Sequence, residues 1–323
     1  MSCSTWSTPR RSERKRTLDG NDAVKPEDYM RGLTRWIHGE PLLAVVLWGG
    51  MYPGARIALR EIPVLSFTCL RLVLGAAVLG TLWIRLRPSV PRHLWVPLVN
   101  AGIAQVAVLM IGYASLHMTT AGETAILFAT APILMSGWLA IYRGDRLDGR
   151  RCGGLLVGLT GVCLVVRGAA GGINVSHTVG DLLAIVGAAA WVWFSLAFSP
   201  VVGSLGMWRA TGLNLGIAGL VLLPFALFEA AYNLWWSGVS KEAWGGLIYA
   251  AVVGGVVSTA LWGRSMVRLG SRQTMVYAYL EPVSAVVIAA IVLGESLTAI
   301  QAVGALLTLA GVWLASDSGI VSK

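Results

Sequence analysis

Apolar positions in this chain come in long blocks rather than in alternation with polar ones. Ten blocks stand out, at about 41–59, 62–84, 93–116, 121–142, 152–168, 181–202, 207–232, 243–263, 273–294 and 298–315. A helix that crosses a bilayer needs about 20 mostly apolar residues. Each block therefore predicts a transmembrane α-helix. The block 41–59 is the least regular, because it holds Pro53 and Arg56. Residues 1–40 are polar and mixed in charge, and read as a disordered tail. The tail's basic cluster lies too far from the first apolar block for a signal peptide. The part from Tyr29 to Trp36 suits the membrane interface, as do Trp83, Trp95, Trp208, Trp235, Trp236 and Trp244 near block ends.

The gaps between blocks carry the orientation. With the tail on the cytoplasmic side, that side receives Lys25, Arg31, Arg35, Arg85, Arg87, Arg92, Arg143, Arg146, Arg150, Arg151, Arg209, Arg264, Arg268, Arg272 and Lys323, fifteen in all. The other side receives Arg56, Arg60, Arg167 and Lys241, which is four. Basic loops stay in the cytoplasm, so both termini are expected there, in a cell (plasma or inner) membrane.

Composition agrees. The 323 residues are 56% hydrophobic and only 13% charged, with a mean hydropathy of +0.69. Soluble domains carry about 25% charged residues. The net charge of +9 is no nucleic-acid signal, because it sits in the tail and the short loops instead of forming a basic groove. Cys3, Cys69, Cys152 and Cys163 form no CxxC pair and read as small hydrophobes, with no metal site.

Sliding the chain along itself by 150 residues brings Pro132 onto Pro282, Gly144 onto Gly294, Asp145 onto Glu295, Gly154 onto Gly304 and Gly161 onto Gly311. Prolines, glycines and an acid match, which apolar composition alone would not produce. The chain reads as a duplication of five spans, 41–168 and 181–315, followed by a short cytoplasmic tail, 316–323. Five is odd, so the second copy must cross in the opposite sense. Inverted repeats are a feature of transporters whose solute site lies near the midplane. The expected fold is an all-α integral membrane protein, with ten transmembrane helices in two inverted five-helix repeats.

Four stretches then resemble one family. "LWGGMYPGARIAL" has Trp48, Gly49 and Arg56; "IPVLSFTCLR" has Pro63 and Arg71; "GDLLAIVGAAAW" has Asp181 and Trp191; and "YLEPVSAVVIAAIVLGE" opens the last pair of spans. Together, and in this order, they resemble the EamA-type transporters of the drug/metabolite transporter superfamily over about 41–315. The first copy has Ala131-Pro132 where the second has Glu281-Pro282. The resemblance implies a ten-helix carrier, often an exporter, that moves amino acids or other small metabolites. Alternatives are an uncoupled facilitator of the same fold or a membrane scaffold subunit.

Candidate site residues follow from depth. Glu281 lies nine residues beyond Arg272, roughly 13 Å into a core of about 30 Å. A charge there costs roughly 2.5–3.5 kcal/mol, so Glu281 must be protonated, hydrated or paired with Arg71, Tyr277, Tyr279 or a solute cation. Protonation would make it a coupling site and protons the coupling ion. Pro282 and its mate Pro132 each free a carbonyl, of Ala278 and Phe128, which a membrane tolerates only beside protein or a wet cavity. Trp48, Tyr52, Tyr113, Trp191 and Trp262 fall inside spans and either line a pocket or pack. Gly154-x-x-x-Gly158 reads as a close helix contact and a candidate homodimer face. "TAGE" through Glu123 reads as a capping box, and Asn174-Val175-Ser176 as a glycosylation sequon.

His38, His93, His117 and His177 form no HExxH, and there is no Walker A loop. Neither an enzyme nor an ATP-driven pump is expected, and no cofactor. The expected partners are a small-molecule solute, lipid and protons.

Overall fold

The computed structural model describes residues 38–83, 90–118, 121–145, 148–167, 178–293 and 298–316. Among the described residues every regular element is helical. The helices are α1 (Gly39–Ala58), α2 (Val64–Trp83), α3 (Trp95–Met118), α4 (Ala121–Phe128), α5 (Ala131–Arg143), α6 (Gly149–Arg167) and α7 (Thr178–Leu205). They continue as α8 (Met207–Asn233), α9 (Lys241–Tyr249), α10 (Thr259–Leu269), α11 (Ser271–Val276), α12 (Leu280–Leu293) and α13 (Ala299–Ala315). Seven helical stretches are long and apolar enough to cross a membrane, and Gly39–Met51 and Ala299–Ala315 are shorter apolar helices. Lipid-facing apolarity explains why Phe228, Ile141, Leu306 and Ile291 stand exposed. In a bilayer, their surroundings are as apolar as a core.

Three rods are interrupted. Between α4 and α5 the ladder breaks at Ala129 and Thr130, where the Thr130 hydroxyl donates to the Leu127 carbonyl at 2.6 Å. Between α11 and α12 the residues Tyr277–Tyr279 wind as a 3₁₀ turn. Between α9 and α10 the glycine-bearing stretch Ala250–Ser258 is π-helical. The two prolines therefore do not kink continuous helices. Pro132 stands at the start of α5 and Pro282 in the first turn of α12, where a missing N–H costs nothing.

Small residues set the closest approaches. Helix α6 lies along α13, α3 along α7 and α2 along α8. A Cβ on Gly161 would sit 2.7 Å from the Gly304 carbonyl oxygen, and one on Gly311 would sit 2.8 Å from that of Gly154. One on Gly304 would meet the Val165 nitrogen, and one on Gly154 that of Ala315. These contacts form pairs that interconvert when 150 is added to one partner and subtracted from the other. The wider packing matches: α1 against α9–α10 has its counterpart in α7 against α3, and α1 against α12 in α7 against α4 and α5.

Two expectations change here. The Gly154/Gly158 face is a close contact, but α13 and the Tyr279 ring occupy it within the chain, so it is not a dimer face. The anchors Trp95, Trp208 and Trp244 are exposed in the first turns of their helices and Trp236 in the turn between α8 and α9, whereas Trp235 donates to the Ser66 hydroxyl at 3.1 Å. The Trp36 and Trp83 side chains, the 1–37 tail, the Glu123 side chain and the Asn174 sequon lie outside the described residues.

Candidate functional site

Three tryptophans from three rods meet inside the bundle. Trp48 of α1 lies 5.2 Å from Trp262 of α10 and 6.0 Å, edge-on, from Trp191 of α7. Trp191 and Trp262 stack at 5.6 Å. Each such pair adds about 0.5–1.5 kcal/mol beyond area burial. Trp262 and Trp191 are buried. Phe194 and Phe198 stack next to them on α7.

The π-helical stretch supplies polarity. A π turn misaligns the ordinary ladder, and side chains take up its carbonyls. Ser258 donates to the Val253 carbonyl at 2.9 Å. The Gly254 carbonyl accepts from Trp48 Nε1 at 3.0 Å and from Thr259 at 3.4 Å. Nearby, the Trp262 Nε1 and the Ser195 hydroxyl, one turn beyond Trp191, are buried without a partner. On α8, Thr211 and Asn214 are sealed from solvent. Asn214 donates to Gln105 of α3 at 3.5 Å, and its Oδ1 and the Thr211 hydroxyl are unpaired. Leaving such a group unsatisfied costs about 1–3 kcal/mol. Several of them in one apolar bundle mark a region built for more than packing. None was singled out above, although Asn214 and Gln105 are amides inside apolar blocks and were legible as such.

Arg71 is 5% exposed, and its Nε and Nη1 have no hydrogen-bond partner. Glu281 is half-buried in the first turn of α12 and interacts elsewhere; no ion pair joins it to Arg71 among the described residues. Tyr277 does not join the tryptophans. It is buried, accepts the His38 backbone N–H at 3.0 Å and stacks on the His38 ring at 6.4 Å, tying the start of α1 to the 3₁₀ turn. Tyr113 is half-buried on α3. Pro132 is buried and Pro282 half-buried, and α5 packs on α11 and the 3₁₀ turn. The Tyr52 side chain lies outside the described residues.

Charge gathers at the two ends. At one, Glu40 bonds Arg268 at 2.6 Å and Arg264 at 3.1 Å, and Asp145 faces Arg272 at 3.5 Å. Burial, then the nearby Arg268 charge, lowers the pKa of His38 there. A cleft of about 200 Å³ opens at the Asp145–Arg272 pair, lined also by Leu139, Arg143, Ser271 and Gln273. That cleft is at the helix ends and does not reach the tryptophans. At the other end, Glu61 accepts from the Ser240 N–H and hydroxyl at 2.6 and 2.7 Å, and Glu229 from those of Ser66 at 2.7 and 2.8 Å. The Ser240 hydrogen bonds hold the Glu61 carboxyl below its ordinary pKa.

Comparison with known proteins places this architecture. The EamA-like transporter family matches residues 41–167 and 178–317. A protein of Escherichia coli named "Probable amino-acid metabolite efflux pump" is 25% identical over 289 residues; the match covers 84% of this chain and 92% of that protein. A "Probable terminal-alkyne amino-acid exporter" of Streptantibioticus cattleyicolor is 25% identical over 281 residues, covering 84% and 91%. A transporter of Archaeoglobus fulgidus is 24% identical over 276 residues, covering 84% and 94%. One crystal structure superposes with a TM-score of 0.70 at 19% identity, over 85% of this chain and 94% of the other, a likeness of fold. With both matched segments together spanning most of its length, the chain belongs to the EamA-like transporter family and is a multi-pass membrane transporter of small molecules, not an enzyme.

Proposed function

We propose that the chain is a secondary carrier that exports an amino acid or a related small metabolite. Its two five-helix halves, 41–168 and 181–315, would exchange conformations about a midplane site at the tryptophan cluster. The reading takes all ten helical rods as spans, with both termini on the cytoplasmic side of the cell membrane.

The observation that carries it is the mirrored glycine contact between α6 and α13. Contacts that swap under the 150-residue shift support a pseudo-two-fold axis between the halves. Along this pair, residue numbers rise on one helix as they fall on the other, so the helices are antiparallel. An axis relating two antiparallel spans lies in the membrane plane, which is the geometry of an inverted repeat. Pro132 and Pro282 then occupy equivalent helix starts on either side of that axis. The cargo class is supported by the names that two relatives carry and by aromatic rings beside unpaired polar groups, a combination suited to amphipathic solutes.

Counterflow into proteoliposomes tests this. Vesicles loaded with one unlabelled amino acid from a panel should accumulate the same labelled solute transiently, faster than empty vesicles. No counterflow for any amino acid, with protein that is folded and correctly inserted, would overturn the reading.

A further inference from the structure

Among the described residues, Arg71 carries a buried guanidinium with two nitrogens, Nε and Nη1, that the fold itself does not answer. Arginine stays protonated, so burial leaves its charge in place. Residues one turn before and after it fix the direction it takes. Phe67 and Leu74 pack with Met51 and Ala55 of α1, Leu247 of α9 and Ala250 of the π stretch. A Cβ at Gly75 would lie 3.2 Å from the Ala251 carbonyl oxygen. Neighbours three and four residues away share a helix face, so Arg71 is on the face of α2 turned toward α1, α9 and the π stretch.

At the end of the bundle where α2 begins, the carboxylates are committed elsewhere: Glu61 holds Ser240 and Glu229 holds Ser66. Arg71 itself, 5% exposed, keeps Nε and Nη1 unbonded. Seven residues into α2, it lies about 10 Å below the α1–α2 turn. Trp48, ten residues before the end of α1, lies about 15 Å below the same turn. Counted along their helices, Arg71 and Trp48 are thus about 5 Å apart in depth, a separation of the size of a small amphipathic acid.

We propose that Arg71 is the docking point for a carboxylate of the transported solute, whose apolar portion rests on Trp48, the half-buried member of the tryptophan cluster. The inference rests on the carrier reading above and narrows its cargo to organic carboxylates. A planar guanidinium offers two parallel N–H donors, which a carboxylate matches in a fork and an amide or amine does not. An inorganic anion such as chloride shares the charge without the fork.

The test uses the amino acid that shows the strongest counterflow, with its amide and its decarboxylated amine, in proteoliposomes of the full chain. Wild type should move the acid at least about tenfold faster than either analogue. Arg71→Gln should reduce that preference to within about twofold, and Arg71→Lys should keep part of it. Equal flux of acid, amide and amine would overturn the proposal while leaving the carrier reading intact. Absent flux of every solute would instead remove the carrier reading beneath it. If Arg71→Gln does not fold, thermal unfolding of the wild type decides. In chloride-free sulfate buffer the acid should raise Tm and the amide should not. A shift produced in full by sodium chloride and not by the acid would assign Arg71 to a resident inorganic anion and overturn the proposal.

Discussion

At the scale of residues, the site depends on a few side chains whose chemistry has no outlet in packing. Trp48 does two jobs, stacking on its neighbours and holding the Gly254 carbonyl of the π stretch. Trp48→Phe keeps a ring and deletes the donor, leaving that carbonyl with the longer Thr259 contact. It should cost about 1 kcal/mol of stability, read as a lower Tm of the purified protein, and should weaken cargo binding further. An unchanged Tm and affinity would show that the π stretch does not lean on Trp48. Glu281 carries a separate expectation. Under proton coupling, Glu281→Gln preserves solute exchange and abolishes uphill flux driven by a pH gradient; equal pH-driven flux in variant and wild type would remove Glu281 from the coupling step. Sequence alone marked Trp48, Trp191, Trp262, Arg71 and Glu281 by type and depth. It did not reveal that the tryptophans converge or that Tyr277 stands apart, because the rotation of each helix about its axis is set by tertiary packing.

At the scale of elements, the apolar blocks were legible because a bilayer demands about twenty apolar residues per crossing. The interruptions were not. Ala250–Ser258 differs little in composition from its flanks, and only the Gly254–Gly255 pair hints at irregular winding. The glycines of α6 and α13 make a sharper statement. Gly311→Ala puts a methyl into the backbone of Gly158 and should destabilise by about 1–3 kcal/mol. Gly153→Ala meets nothing within 4 Å and should be neutral or stabilising, as alanine favours helix. Equal thermal stability of the two variants would contradict the close α6–α13 contact. The loop at Glu61 gives a pH expectation. Its folded pKa lies below the ordinary 4.5, so its contribution is present above that value and fades as pH falls through the lowered one. Tm measured from pH 6 down to 3 should therefore fall less steeply in Glu61→Gln than in the wild type, and parallel curves would show that the Ser240 contact does not matter in solution.

At the scale of the whole molecule, the repeat was readable as a 150-residue register of prolines, glycines and one acid, and the basic loops predict a side for each terminus. What the register could not supply was which faces meet, and the glycine contacts of α6 and α13 add that. The central claim is inversion. Gly149 and Ala299 are repeat mates, each exposed at the first residue of its helix. In an inverted repeat they face opposite sides of the membrane; in a direct repeat they share one. The decisive measurement is labelling of single cysteines at these two positions, in a chain whose native cysteines are replaced, with a membrane-impermeant thiol reagent on intact cells and after lysis. The account predicts that Ala299→Cys reacts from outside and that Gly149→Cys reacts only once the cells are opened. Reaction of both cysteines from the same side would contradict it.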